Sequence, residues 1–186
     1  NPRKYAIGYY DDSKAVGSKW VYYDENINAN TTFESTKSYA LSKNGTGSVR
    51  FIGNLATDNQ TATVVGGAWN AIGNPFTAYY PANLHSGSFL NENESSLAEQ
   101  AVYLWDEDQN KYVAFSDLAP SEQKGLQPGQ GFFIKTKAGA TSVLFAKDER
   151  LTKPAAGNNG FYKSEAETPF IQLLVKNGNI EVKTTI

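Results

Sequence analysis

Short runs in which apolar and polar residues alternate recur along the chain, each closed by a cluster of turn-forming residues. Alternation with period two marks half-buried β-strands, whose successive side chains point to opposite faces. It predicts strands at residues 4–10 (KYAIGYY), closed by Asp11-Asp12-Ser13, and 19–23 (KWVYY), closed by the polar run 24–32. Residues 38–42 and 48–52 flank 43–47, where Asn44-Gly45 suits a hairpin because both residues tolerate positive φ. Residues 61–65 precede Gly66-Gly67, and 68–72 run into Gly73-Asn74-Pro75-Phe76, where Asn-Pro marks a loop. Further strands fall at 101–105 and 111–115, around the turn 106–110, then at 132–135 and 141–146. About ten strands at this spacing predict an all-β domain, an antiparallel β-sandwich of jelly-roll-like type. Residues 80–100 are the least strand-like. Ser96-Leu97-Ala98-Glu99 matches a capping box that could start one helical turn, and an irregular loop is the competing reading. No helix longer than about two to three turns is expected.

Three pieces of the pattern occur twice in the same order. Residues 20–25 (WVYYDE) are echoed by 101–106 (AVYLWD), 38–41 (SYAL) by 131–134 (GFFI), and 48–51 (SVRF) by 142–145 (SVLF). The expectation is a duplicated strand–hairpin unit within one domain.

Composition narrows the function classes. Eleven Tyr, ten Phe and three Trp suit pleated strands, and only 19% of residues are charged, too few for long amphipathic helices. The absence of cysteine excludes disulfide scaffolds, thiol catalysis and cysteine-ligated metal centres. A net charge of −2 lacks the basic excess of a nucleic-acid binder, so that partner is not expected. No apolar run approaches the roughly 18–20 residues of a membrane span, so no membrane insertion is expected. Asn1 opens no signal-peptide pattern, and the chain reads as a processed piece of something longer.

Residues 67–76 (GAWNAIGNPF) resemble the "GWNLIGNPYPS" segment of an accessory β-domain. That domain belongs to large cell-surface proteins exported by the type IX secretion system. Residues 50–55 (RFIGNL) are similar to that family's "FTGxLN" strand, and 101–106 to its "AIYVWD". Residues 126–135 (LQPGQGFFIK) are similar to "IAPMQGFFVKA", and 145–150 (FAKDER) to "FxxxxR". Thr77-Ala78 departs from the usual Pro-Ser, and Ala71 from a larger apolar residue. The resemblance implies a secreted or cell-surface module among neighbouring domains of the same polypeptide. It supplies no activity.

The candidate chemistry is thin. The single histidine, His85, lies in a polar loop with no nucleophile-elbow sequence, so neither a Ser/His/Asp triad nor a zinc site is indicated. Paired carboxylates could hydrolyse glycosides, with Asp11, Asp12, Asp24, Glu25, Glu92, Glu94, Asp106, Glu107 and Asp108 as candidates. Nearly all of them sit in turns, where acids are expected anyway, so the chain is read as non-enzymatic. Asp106, Asp108 and Asn110 place oxygens at alternate positions, like the first half of a calcium loop, and calcium is the one cofactor expected if an ion binds. A plain polar turn is the alternative.

The aromatics are the most suggestive feature. Alternation puts Val21, Tyr23, Val102 and Leu104 on a core face, and Trp20, Tyr22, Tyr103 and Trp105 on the opposite face. Exposed aromatic rings offer flat apolar plates for sugar rings, so a polysaccharide or cell-surface glycan is the expected ligand. The alternative is a spacer or adhesion module whose aromatics pack under a second layer.

Organisation is expected as a β-sandwich over 1–152, a linker or exposed loop over 153–169, and a hairpin over 170–186 turning at Asn177-Gly178. An isolated hairpin is marginal in water, so this one should be ordered only by pairing with the main sheet edge or another copy.

Overall fold

The computed structural model describes residues 5–24, 31–44, 51–83, 86–118, 123–152, 172–177 and 180–185. The first strands in chain order are β1 (Tyr5–Tyr10), β2 (Trp20–Tyr22), β3 (Tyr39–Lys43), β4 (Gln60–Thr63), β5 (Trp69–Gly73) and β6 (Tyr80–Pro81). A single helical turn, α1 (Phe89–Glu92), precedes β7 (Ala101–Asp106), β8 (Lys111–Ser116), β9 (Gly125–Leu126), β10 (Gly131–Lys135) and β11 (Ser142–Phe145). A 3-10 turn (Lys147–Glu149) follows, and then β12 (Gln172–Asn177) and β13 (Ile180–Thr185). The fold is all-β, and every ladder among the described residues is antiparallel. The helical turn lies earlier than the capping-box signal: Ser88 Oγ caps it by accepting from Asn91 N, whereas Leu97 bridges Thr136.

The central sheet runs β5-β10-β7-β8. Alternation in β7 and β10 sends Val102, Leu104, Phe132 and Ile134 inward, all fully buried. The β4–β11 ribbon (Ala62, Val64, Val143, Phe145), the short β6–β9 pair and α1 cover that inner face. Phe76 stacks on Tyr80, Tyr80 meets Phe145 edge-on, and Phe89 packs on both Phe132 and Phe145. Each such buried ring contributes about 1.5–3 kcal/mol.

The segments carrying the family resemblance have structural jobs. Buried Asn74 turns the chain out of β5: its Nδ2 donates to the carbonyls of Ala78 (2.8 Å), Leu126 (3.2 Å) and Gln127 (3.0 Å), and its Oδ1 accepts from Phe76 N (3.1 Å). Asn70 ties β5 to Val65 through both its amide oxygen and nitrogen. The Arg150 guanidinium lies over the Phe76 ring at 5.1 Å. Gly131 lets the approach to β3 pass close by, because a Cβ there would sit 2.1 Å from Ser38 Oγ.

A second sheet, β2-β1-β3, joins the first where the chain entering β3 pairs with β5, through Ser38 N to Ala71 O and Gly73 N to Thr36 O. Its order, second strand–first strand–third strand, is that of β8-β7-β10. The strand equivalences therefore differ from the sequence echoes. Residues 20–25 do not correspond to 101–106; β1 answers to β7, β2 to β8 and β3 to β10. Lys19-Trp20-Val21 then aligns with Lys111-Tyr112-Val113, and only the match of 38–41 with 131–134 stands. The first error arose because alternation marks a strand without saying which strand it pairs with. Residues 48–50 of the third echo lie outside the described residues.

At the C-terminus, β12 and β13 form the predicted hairpin, as a two-stranded sheet of its own. The expected pairing with a main sheet edge is not among the described ladders.

Candidate functional site

The β7–β8 turn is built by Asp106, whose Oδ1 accepts from Gln109 N (3.0 Å) and Oδ2 from Gln109 Nε2 (2.7 Å), and by Asn110 at φ 50°. These bonds hold the Asp106 carboxyl below the usual carboxylate range. The turn fixes a register in which Trp105 faces Tyr112, and Tyr103 faces both Ala114 and Phe133. The outer face of the central sheet thereby gathers Trp69, Tyr103, Trp105, Tyr112 and Phe133. The Trp105 and Tyr112 centroids are 5.0 Å apart, and those of Trp69 and Tyr103 are also 5.0 Å apart. Lys135 Nζ sits 5.6 Å from the Trp69 ring centre.

The second sheet lays its own cross-strand pair, Tyr10 and Trp20, on this face. Phe133 is the hub, at 4.7 Å from Tyr10, 6.1 Å from Trp20 and 5.1 Å from Tyr112. Five rings thus run without a break from Trp20 through Tyr10, Phe133 and Tyr112 to Trp105. Interplanar angles of 68–90° make them edge-to-face, a ridged surface instead of one flat plate.

Asp12 locks the joint between the sheets. Its Oδ1 accepts from Tyr10 OH (3.0 Å) and from Lys19 Nζ, and its Oδ2 from the Trp69 backbone N–H (3.0 Å) on β5. The Lys19 bond, then the Trp69 N–H, lower its carboxyl to about 2. Tyr103 OH donates to Glu99, and burial, reinforced by that bond, pushes the phenol up to about 12.

Of the four aromatics singled out from the sequence, all share the predicted outward faces, but they are not equally free. Trp105 is 43% exposed and Tyr22 59%, whereas Trp20 and Tyr103 are half-buried in the ring contacts just described. Val102 and Leu104 are core, as expected. Val21 and Tyr23 are only half-buried, on the other face of the second sheet. Sequence reasoning missed Tyr112 (44% exposed), Tyr10, Phe133 and Trp69. The signal for Tyr112 was its place in the alternating run 111–115, directly across the turn from Trp105.

Among the described residues no group of three or more His, Cys, Asp or Glu side chains converges as a metal site. At the calcium candidate, both Asp106 oxygens already accept from Gln109, and Asp108 and Asn110 are exposed on the turn. The carboxylates Asp11 and Asp12 are held by Ser13 and by Lys19 with Trp69. His85 and Glu25 lie outside the described residues. No family model, curated protein or solved structure matches the chain.

Proposed function

We propose that the chain is a non-catalytic accessory module of a secreted or cell-surface protein, and that it binds carbohydrate at the β7–β8 end of the aromatic ridge. The observation that carries this reading is the Trp105–Tyr112 pair, two large rings left about half open on a sheet face whose other rings, Trp69, Tyr103 and Phe133, are less exposed. An exposed Trp–Tyr pair costs free energy in water unless a ligand covers it, and a pyranose offers an apolar C–H face with polar edges. Acceptors and donors of the adjoining turn, Asp106 to Asn110, stand where they could meet sugar hydroxyls. The half-buried Trp20 ends the ridge on the second sheet, and Tyr22 and the half-buried Tyr103 flank it. The resemblance to accessory domains of type IX secretion cargo agrees with an extracellular setting beside other domains of one polypeptide.

A spacer or adhesion role is the second reading, favoured by the use of Tyr10, Trp20 and Phe133 to join the two sheets. A glycan array on the full chain separates them. Binding abolished by Trp105→Ala or Tyr112→Ala supports the sugar site. No glycan bound, or binding indifferent to both changes, supports the spacer.

A further inference from the structure

The two topologically equivalent sheets are not equally covered. Superposed by strand order and register, Ile7, Tyr9, Tyr39 and Leu41 of the second sheet fall on Val102, Leu104, Phe132 and Ile134 of the central one. The latter four are at most 2% exposed, because the antiparallel β4–β11 ribbon lies in the same core, with Phe145 6.3 Å from Phe132. Leu41 is 40% exposed, and Ile7, Tyr9 and Tyr39 are half-buried. Among the described residues Tyr23, Phe33 and Phe51 pack beside them, Phe33 and Phe51 being themselves exposed, and Lys37 Nζ lies 4.5 Å from the Tyr9 ring centre. A contiguous aromatic face of this kind marks an interaction site.

The same chain carries a ribbon that pairs with no other strand among the described residues. The β12–β13 register, Leu173 opposite Thr184, Val175 opposite Val182 and Asn177 opposite Ile180, puts Leu173, Val175, Ile180 and Val182 on one face together with Asn177 and Thr184. The other face holds Gln172, Lys176, Glu181 and Lys183, with Leu174 and Thr185. Such a two-stranded ribbon is marginal alone and needs a cover for its apolar side. Residues 153–171 connect it to the body, and nineteen residues can span about 60 Å at roughly 3.3 Å each, more than the width of a domain this size.

We infer that the C-terminal hairpin of the same chain docks its Leu173/Val175/Ile180/Val182 face on the Tyr9/Tyr39/Leu41 face of the second sheet, as β4–β11 covers the central one. Docking is face to face, in place of the pairing with the main sheet edge or another copy that the marginal stability of an isolated hairpin suggested. Limited trypsin digestion of the full chain, timing cleavage at Lys176 and Lys183, reads the contact. The expected result is slow cleavage that is independent of protein concentration. Val175→Asp should accelerate it at least tenfold and raise dye binding to exposed apolar surface, while Leu174→Asp on the opposite face should change neither. Because Val175→Asp could unfold the hairpin by itself, Leu41→Asp provides the reciprocal test: it should release the hairpin to the protease with the hairpin sequence untouched. Cleavage in the wild type at the rate of an unfolded peptide, equal effects of the two hairpin variants, or no effect of Leu41→Asp would overturn the inference. Protection that appears only at high protein concentration would overturn the same-chain assignment.

Discussion

Asp12 is a single side chain on which the joint between the sheets depends, and the effect of removing it can be worked from the structure. Its carboxylate receives the Trp69 backbone N–H, Tyr10 OH and Lys19 Nζ, with side chains only 17% (Asp12) and 28% (Lys19) exposed. A carboxyl moved from the ordinary value near 3.9 to about 2 corresponds to a ceiling of about 2.5 kcal/mol. Solvent on one side screens the pair, so about 1–1.5 kcal/mol is expected from the charge. Asp12→Asn keeps an acceptor for Trp69 N–H and should lose roughly that amount at pH 7. Asp12→Ala also orphans the Trp69 N–H, for a total of about 2–3 kcal/mol. Because the folded-state pKa is depressed, the contribution is fully present above the unfolded value near 4 and is lost as pH falls through about 2. Urea denaturation followed by tryptophan fluorescence, with Trp20 reporting the joint, should therefore show a wild-type advantage over Asp12→Asn that is constant from pH 8 to 5. It should shrink below pH 4 and vanish near pH 2. A difference that stays level from pH 7 to 3, or one below about 0.5 kcal/mol at pH 7, would refute the reasoning.

Three further outcomes are expected. Asn74→Ala strands the Phe76 N–H and removes the amide donor from the Ala78, Leu126 and Gln127 carbonyls, of which Gln127 keeps the Gln130 N–H, and should cost about 2–4 kcal/mol by denaturant titration; near-neutrality would show that water replaces the amide. Gly131→Ala should cost about 1–3 kcal/mol by overpacking against Ser38, and the loss should shrink in a Ser38→Gly background; equal losses in both backgrounds would place the strain elsewhere. Calcium at Asp106, Asp108 and Asn110 would compete with Gln109 for Asp106 oxygens that each already accept one hydrogen bond, so calorimetry should find a dissociation constant no tighter than about 10⁻⁴ M. Micromolar binding abolished by Asp108→Asn would contradict that competition.

What the sequence makes legible is the local face of each strand. Val102 and Leu104 versus Tyr103 and Trp105, or Trp20 and Tyr22 versus Val21 and Tyr23, follow from the two-residue pleat alone. Pairing is not legible in this way. The echo of 20–25 in 101–106 matched hydrophobicity, whereas the ladders make Lys19-Trp20-Val21 the counterpart of Lys111-Tyr112-Val113. Tyr112 was missed for that reason, since only the hairpin register carries it to Trp105. The contact between the outer faces at Phe133 is a long-range encounter that no local period encodes. Asp12 looks like any turn acid until Trp69, 57 residues away, supplies its N–H. Asn70 and Asn74 show the opposite case: polar residues within and just after an apolar strand signal a structural role, and the amide bonds supply it.

The measurement that bears most directly on the carbohydrate reading is a binding isotherm for the strongest glycan found on an array, run on wild type, Trp105→Ala, Tyr112→Ala and Trp69→Ala. Losing a half-exposed stacking ring should weaken binding about tenfold or more, equivalent to about 1.4 kcal/mol, for Trp105 and Tyr112. Trp69→Ala, at the far end of the face beneath Lys135, should leave affinity within about twofold, a difference of about 0.4 kcal/mol. Equal affinity in all four proteins, with folding intact, would contradict the sugar site and leave the ridge as a joint between sheets.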